Sequence, residues 1–197
     1  AVITCDASSF SIKTLDAEDF PGFPHVDTQQ AISIPFSQFS SMVKRVARVV
    51  SKDESRAILT GVLITFEGET LKMVATDSYR LAITEAQLGE PAAEGFQAVI
   101  SGSFLQELAS LTRTDDPLTI ALAENQIVVT YHDTVFVNRR IEGNFPNYRQ
   151  LLPDSYATRV RLNVSHLVSG VKRTSILGQQ NSPGKFAIDV GSQTVQL

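Results

Sequence analysis

"IPFSQFSSMVKRVARV", residues 34 to 49, returns 128 residues later as "LNVSHLVSGVKRTSIL", residues 162 to 177, and this echo decides the architecture. Five of the 16 aligned positions are identical: Ser37, Ser41, Val43, Lys44 and Arg45 meet Ser165, Ser169, Val171, Lys172 and Arg173. Self-similarity at a long, fixed period marks a chain built from copies of one unit. In the first copy Phe39, Met42, Val43, Val46, Val49 and Val50 fall on one stripe of a 3.6-residue helix, with Ser37 placed to cap its start. Lys44 and Arg48, four residues apart, then project together from the opposite face.

Working outward, a Phe-Pro pair occurs at 20–21 and again at 145–146, nearly the same period, inside Pro-rich connectors at 19–30 and 144–157 that read as domain junctions. A weaker half-period of 66 aligns "IPFSQF" with "ISGSFL" at 100–105. That second match opens another helical stretch, "SGSFLQELASLT", with Ser103 as candidate cap and Phe104, Leu108 and Leu111 as its stripe. The remaining runs, "SIPF", "GVLITFEG", "ETLKMVAT", "RLAITEAQL", "FQAVIS", "LTIALAEN", "QIVVTYHD" and "TVFVNRRI", are strand-like and bounded by Gly, Asn and Asp turn signals. The chain therefore reads as one complete unit of about 125 residues, made of two strand-helix-meander halves. It is flanked by the tail of one unit and the opening of another.

Composition is that of an ordinary globular protein, 43% hydrophobic and 19% charged over 197 residues. Apolar runs are far shorter than the roughly 20 residues that span a bilayer, and "AVITCDASSF" lacks the basic and apolar regions of a signal peptide, so cytoplasm is the expected compartment. Cys5 stands alone and His25, His132 and His166 are far apart, so neither a disulfide framework nor a metal site is expected. The net charge of -4 would argue against nucleic acid, but charge is segregated along the chain. Residues 36–50 hold Lys44, Arg45 and Arg48, residues 159–177 hold Arg159, Arg161, Lys172 and Arg173, and neither stretch contains an acid.

One turn is chemically odd. In "MVATDSYRLAI", residues 73 to 83, two strand pieces flank Thr-Asp-Ser-Tyr-Arg, where Asp77 and Ser78 can bond their own backbone but Tyr79 and Arg80 are unnecessary for a bend. Such a Tyr is more often a plain rim residue and such an Arg more often pairs with a nearby acid, here Asp77. A concave apolar patch fringed by these two groups would instead suit an extended peptide. Asp115 and Asp116, adjacent in "RTDDPLT", sit in a turn signature, and no G-x-S-x-G, Gly-rich phosphate loop or H-E-x-x-H occurs. A small hydrolase or nuclease acting through this pair, and a β-rich peptide-binding module with no DNA role, are the competing expectations.

"VATDSYRLA" at 74–82 followed by "FPNYRQLLP" at 145–153 resembles the bacterial DNA polymerase III β-subunit family, the sliding clamps. The resemblance implies an α+β DNA-clamp fold whose domains each double a strand-helix-meander half, with antiparallel sheets outside and helices lining a ring. Residues 1–28 would be the tail of a first clamp domain and its linker, 29–157 a complete second domain, and 158–197 the opening of a third, so the chain is expected to be a fragment. It further implies a non-catalytic processivity factor without cofactor or metal, which encircles double-stranded DNA irrespective of sequence as a homodimer when full length. Replicative polymerase, clamp loader and repair polymerases would dock by short peptides in a groove carried over to Leu59, Thr76, Ser78, Tyr79, Arg80, Leu81, Pro146, Gln150 and Leu151. The DNA-facing set would be Lys44, Arg45, Arg48, Lys52, Arg56, Lys172 and Arg173. The chain departs from the family at Tyr79, commonly His, at Ser78, commonly Gly, and at Gln150, commonly Arg. Loop positions that carry DNA-contacting Gln and aromatic groups are Asp53, Ala57 and Ile58 here.

Overall fold

A computed structural model describes residues 1–19, 22, 31–89, 95–112, 114, 116–123, 125–176, 178 and 184–197. The first Phe-Pro pair, His25, Asp115 and the expected boundary at 28–29 lie outside them. The chain divides into two units, Ala1–Tyr148 and Arg149–Leu197.

The first unit opens with an exposed hairpin, β1 (Val2–Cys5) and β2 (Ser8–Ser11). After the connector come two halves of identical grammar. The first is β3 (Ile32–Pro35), α1 (Phe36–Val46) and the meander β4 (Gly61–Glu67), β5 (Thr70–Thr76), β6 (Leu81–Gln87). The second is β7 (Phe96–Ser101), α2 (Gly102–Ala109) and the meander β8 (Pro117–Leu122), β9 (Gln126–Tyr131), β10 (Thr134–Arg139). The meanders close with tight turns. Glu67 pairs with Thr70 across Gly68 and Glu69, and Gly68, at φ +58°, takes the left-handed conformation that such a two-residue loop requires.

Each half lends its first strand to the other. The two antiparallel sheets run β10-β9-β8-β3 and β6-β5-β4-β7, so β3 borders the second meander and β7 the first. Strand alternation then sends Val62, Ile64, Phe66, Leu71, Met73 and Ala75 to one face, where they pack with Phe39, Met42, Val43 and Val46 of α1 and Leu105 and Leu108 of α2. Ile34, Ile120 and Val129 of the other sheet complete this core. Between the helices, the buried Ser40 hydroxyl donates to the Ala109 carbonyl at 2.9 Å, satisfying an orphan acceptor at the end of α2.

Both expected helix caps move. α1 begins at Phe36 after Pro35, with no side-chain cap, so Ser37 lies inside its first turn. Pro35 pairs with Pro117 at the end of the sheet, where neither proline owes the ladder an N–H. In the second helix Ser101, rather than Ser103, caps by accepting the Phe104 N–H at 3.4 Å, so the helix starts earlier than its apolar pattern. It also ends at Ala109, leaving Leu111 beyond its last turn.

The division falls within the one-turn 3-10 segment Tyr148–Leu151, and the second unit then carries α3 (Val164–Ser175) and a short hairpin, β11 (Ala187–Asp189) and β12 (Thr194–Gln196). α3 is the helix that the repeat of residues 34–49 requires. Asn163 caps it, accepting the Ser165 N–H at 2.9 Å.

Candidate functional site

The chain reverses between β5 and β6 through residues 77–80, and the reversal is built around one carboxylate. Asp77 Oδ1 accepts the Tyr79 and Arg80 N–H groups, each at 3.0 Å, and Oδ2 accepts Arg80 Nε at 3.0 Å. Burial pushes the Asp77 carboxyl up, but the two backbone donors and the Arg80 guanidinium outweigh it and hold the group below its ordinary value. Ser78 donates its N–H to Thr76 Oγ1 at 3.1 Å and sits at φ +76°, the left-handed region usually left to Gly. Arg80 also donates from Nη2 to the Arg48 carbonyl at 3.2 Å. Of the two readings of Arg80, pairing with Asp77 is therefore the one observed: its guanidinium is a strut of the turn. Tyr79 is 95% exposed.

Beside this turn lies an apolar patch on the face of the β6-β5-β4-β7 sheet opposite the helices. Leu63, Val74, Val99 and Tyr148 are its buried floor, and Ile58, Leu81, Ile83, Ile141 and Phe145 are half-buried around them. The strap of residues 140–148 crosses this face, held by the Ile141 N–H on the Val99 carbonyl at 2.8 Å and the Arg140–Ile100 bridge. Gly61 allows the close approach, since a Cβ there would fall 2.5 Å from a Val99 methyl and 2.9 Å from Ile141. Of the carried-over groove residues, Ser78, Tyr79, Arg80 and Leu81 come together here. Leu59 and Thr76 lie beneath the surface at 3% and 4% exposure, and Pro146 is exposed on the strap. Gln150 and Leu151 belong to the second unit, where Leu151 is 65% exposed. Sequence reasoning missed Ile58 and Ile83 as members of this patch. Ile83 was within reach, being two residues from Leu81 and so on the same face of β6.

The cations gather on the helix side. Lys44 and Arg45 are exposed on α1, and Arg48 is exposed on the 3-10 turn Ala47–Val49 that follows, its Nε donating to the Lys44 carbonyl at 2.8 Å. Lys44, Arg48 and Lys52 line an open depression of about 1060 Å³ between the helices together with Ser51, Ser103, Gln106 and Ser110, and Glu54 is the one acid among the described residues that line it. Lys44, Arg45 and Arg48 line an adjoining one of about 540 Å³ with Ser37, Ser40 and Ser41. Cations alternating with hydroxyls suit phosphate oxygens. In the second unit Lys172 and Arg173 are exposed in the last turn of α3.

Arg56 does not join this group. It is the non-helical residue (φ -119°, ψ 70°) at a kink within the 3-10 segment Glu54–Thr60, and its Nη2 donates to Ser78 Oγ at 3.1 Å, on the rim of the apolar patch. Asp53, before the kink, is held below its ordinary value by hydrogen bonds from Ser55 and by the Arg56 charge.

Of the aspartate pair, only Asp116 is described. It accepts from Thr114 Oγ1 at 2.8 Å and lies 3.5 Å from His132, which makes it part of a surface network at the end of the second sheet. Among the described residues no group of His, Cys, Asp or Glu is arranged to hold a metal, and no helix is long and apolar enough to cross a membrane.

Residues 33–147 match the profile of the DNA polymerase III beta subunit, central domain. The beta sliding clamp of Bacillus subtilis (strain 168) is 30% identical over 180 residues, covering 91% of this chain and 48% of that protein. The crystal structure of the DNA polymerase sliding clamp from Bacillus subtilis superposes with a TM-score of 0.81 at 27% identity, over 99% of this chain and 55% of the other. A sliding clamp from Pseudomonas aeruginosa bound to griselimycin gives 0.78 at 28% identity, over 91% and 49%. The chain thus spans about half the length of the relatives it matches.

Proposed function

This chain belongs to the DNA polymerase III beta-subunit family, and from that membership we propose that it is the central part of a sliding clamp. In this reading residues 29–157 are a complete second clamp domain, preceded by the end of a first at 1–28 and followed by the opening of a third at 158–197. The full-length protein closes as a homodimeric ring on duplex DNA and tethers the replicative polymerase, the clamp loader and repair polymerases by peptides seated in a groove. It is a non-catalytic accessory subunit without cofactor, working in the cytoplasm and on the nucleoid during replication.

The observation that carries the proposal is the separation of two chemistries across one domain. Lys44, Arg45, Arg48 and Lys52 lie on the helix side, and the half-open apolar patch with its Tyr79 rim lies on the far face of the β6-β5-β4-β7 sheet. A ring that slides needs diffuse attraction to phosphates and no base contacts to pin it, which exposed Lys and Arg supply. A tether must hold its partners without touching the DNA path, and a patch on the opposite face meets that requirement. An extended peptide would bury apolar anchors against Leu81, Ile83 and Phe145.

Two sets of variants of the full-length protein test the division. Reversing Lys44 and Arg48 to Glu should weaken retention on duplex DNA and flatten its salt dependence, while the affinity for a short Gln-, Leu- and Phe-rich peptide stays unchanged. Leu81→Ala and Leu151→Ala should do the opposite, weakening the peptide roughly tenfold with duplex retention intact. Peptide binding without any duplex binding in the unmodified ring would favour the interaction module with no DNA role; peptide affinity unmoved by either Leu variant would remove the groove.

A further inference from the structure

The two proposed surfaces share one segment of chain. Glu54, Ala57 and Thr60 line the basic depression, whereas Ile58 belongs to the apolar patch and Arg56 reaches the rim turn. Two hydrogen bonds fasten this basic side to the turn. Arg80 Nη2 to the Arg48 carbonyl is reinforced by the same guanidinium's hold on Asp77. Arg56 Nη2 to Ser78 Oγ is a lone contact between exposed side chains, made to a residue already in a left-handed conformation. The second is the weaker tie.

We propose that Arg56 is a switch between the surfaces, giving up the Ser78 hydroxyl for a backbone phosphate when duplex DNA is bound, and that this release makes the groove more receptive to peptide. The proposal rests on the clamp reading of both faces. A guanidinium-phosphate contact pairs two ionised groups and can be bidentate, whereas the Ser78 hydroxyl is a single neutral acceptor, so a phosphate within reach wins the exchange. The Asp53 carboxylate neighbours Arg56, being on the same loop, and does not select between the two partners. With the tie made, Leu59, three residues beyond Arg56, and Thr76, two before Ser78, are 3% and 4% exposed. An anchor that is to reach them must part the 54–60 segment from the turn, and the Arg56–Ser78 bond opposes that parting. Loss of one such bond corresponds to roughly a two- to tenfold change in affinity. By reciprocity, peptide would tighten duplex binding by the same factor.

The test is titration of a fluorescent Gln-, Leu- and Phe-rich peptide into the full-length protein at low salt, with and without a saturating short duplex, for the unmodified protein, Ser78→Ala and Arg56→Ala. The duplex should tighten the peptide roughly two- to tenfold in the unmodified protein. Ser78→Ala should reach the tightened affinity without DNA and respond no further. Arg56→Ala should behave likewise, and inorganic phosphate at the duplex's phosphate concentration should not substitute for it. A DNA effect that persists in Ser78→Ala overturns the switch, as does a peptide affinity indifferent to bound duplex, or a peptide weakened by Arg56→Ala, which would make Arg56 a direct peptide contact. Failure of peptide or duplex to bind the unmodified protein at all would instead overturn the clamp reading and the switch with it.

Discussion

Replacing Asp77 by Ala removes the one side chain around which the rim turn is organised. Three bonds go together: the Tyr79 and Arg80 N–H groups and Arg80 Nε, each 3.0 Å from the carboxylate. The two backbone bonds contribute about 0.5–1.5 kcal/mol each. The ion pair adds at most about 1 kcal/mol, because the Arg80 side chain is 61% exposed and well screened. The sum is about 1–4 kcal/mol, which for a unit of this size lowers the melting temperature by roughly 2–16 °C. Asp77→Asn keeps an acceptor for the backbone donors and should fall between the variant and the parent. Acid should reproduce part of the effect. The Asp77 carboxyl is held below its ordinary value of 3.8, so its contribution is present above that pH and is lost as pH falls through the lower, folded value. Thermal melting from pH 7 down to 2, with amide exchange read at Tyr79 and Arg80, measures both arms. If those two amides exchange no faster in Asp77→Ala and its melting is unchanged, the turn does not depend on the carboxylate and the reasoning is refuted.

Gly61→Ala puts a methyl 2.5 Å from Val99 and 2.9 Å from Ile141, and should cost about 1–3 kcal/mol in urea unfolding while loosening the strap over the apolar patch. An unchanged denaturation midpoint would show that the strap is free to move aside. Ser40→Ala leaves the Ala109 carbonyl without its donor in a buried site and should cost about 1–2 kcal/mol by the same assay, with Ser40→Thr recovering part of the loss. A neutral Ser40→Ala would mean that α2 ends as well without this bond.

The strands were legible because short apolar runs are bounded by Gly, Asn and Asp turn signals, and the helices because α1 buries a clean stripe. What a single sequence cannot display is pairing. Nothing in "SIPF" announces that it will lie beside "PLTIAL" rather than the meander that follows it, since both neighbours are equally apolar. The caps went astray for a local reason: proline at 35 and a serine at the end of β7 each start a helix before its apolar pattern begins. At the site, the cations of α1 were readable from helical spacing, whereas the destination of Arg56 depended on a kink and a turn 22 residues away. The apolar patch was only half visible, because its members come from β4, β5, β6, β7 and the strap, and converge only once the sheet exists.

The exchange of β3 and β7 between the halves sets the order in which this chain can be completed at the ribosome. β4, β5 and β6 can zip up locally as they emerge, but the free edge of β4 stays open until β7 arrives, and β3 must wait for β8, Ile32 finding Ile120. The period of the sequence is therefore not a period of folding. Half a unit alone would leave the β4 edge unpaired and the apolar face of α1 only partly covered, and of these pairings β3 with β8 closes the longest loop and so costs the most chain entropy.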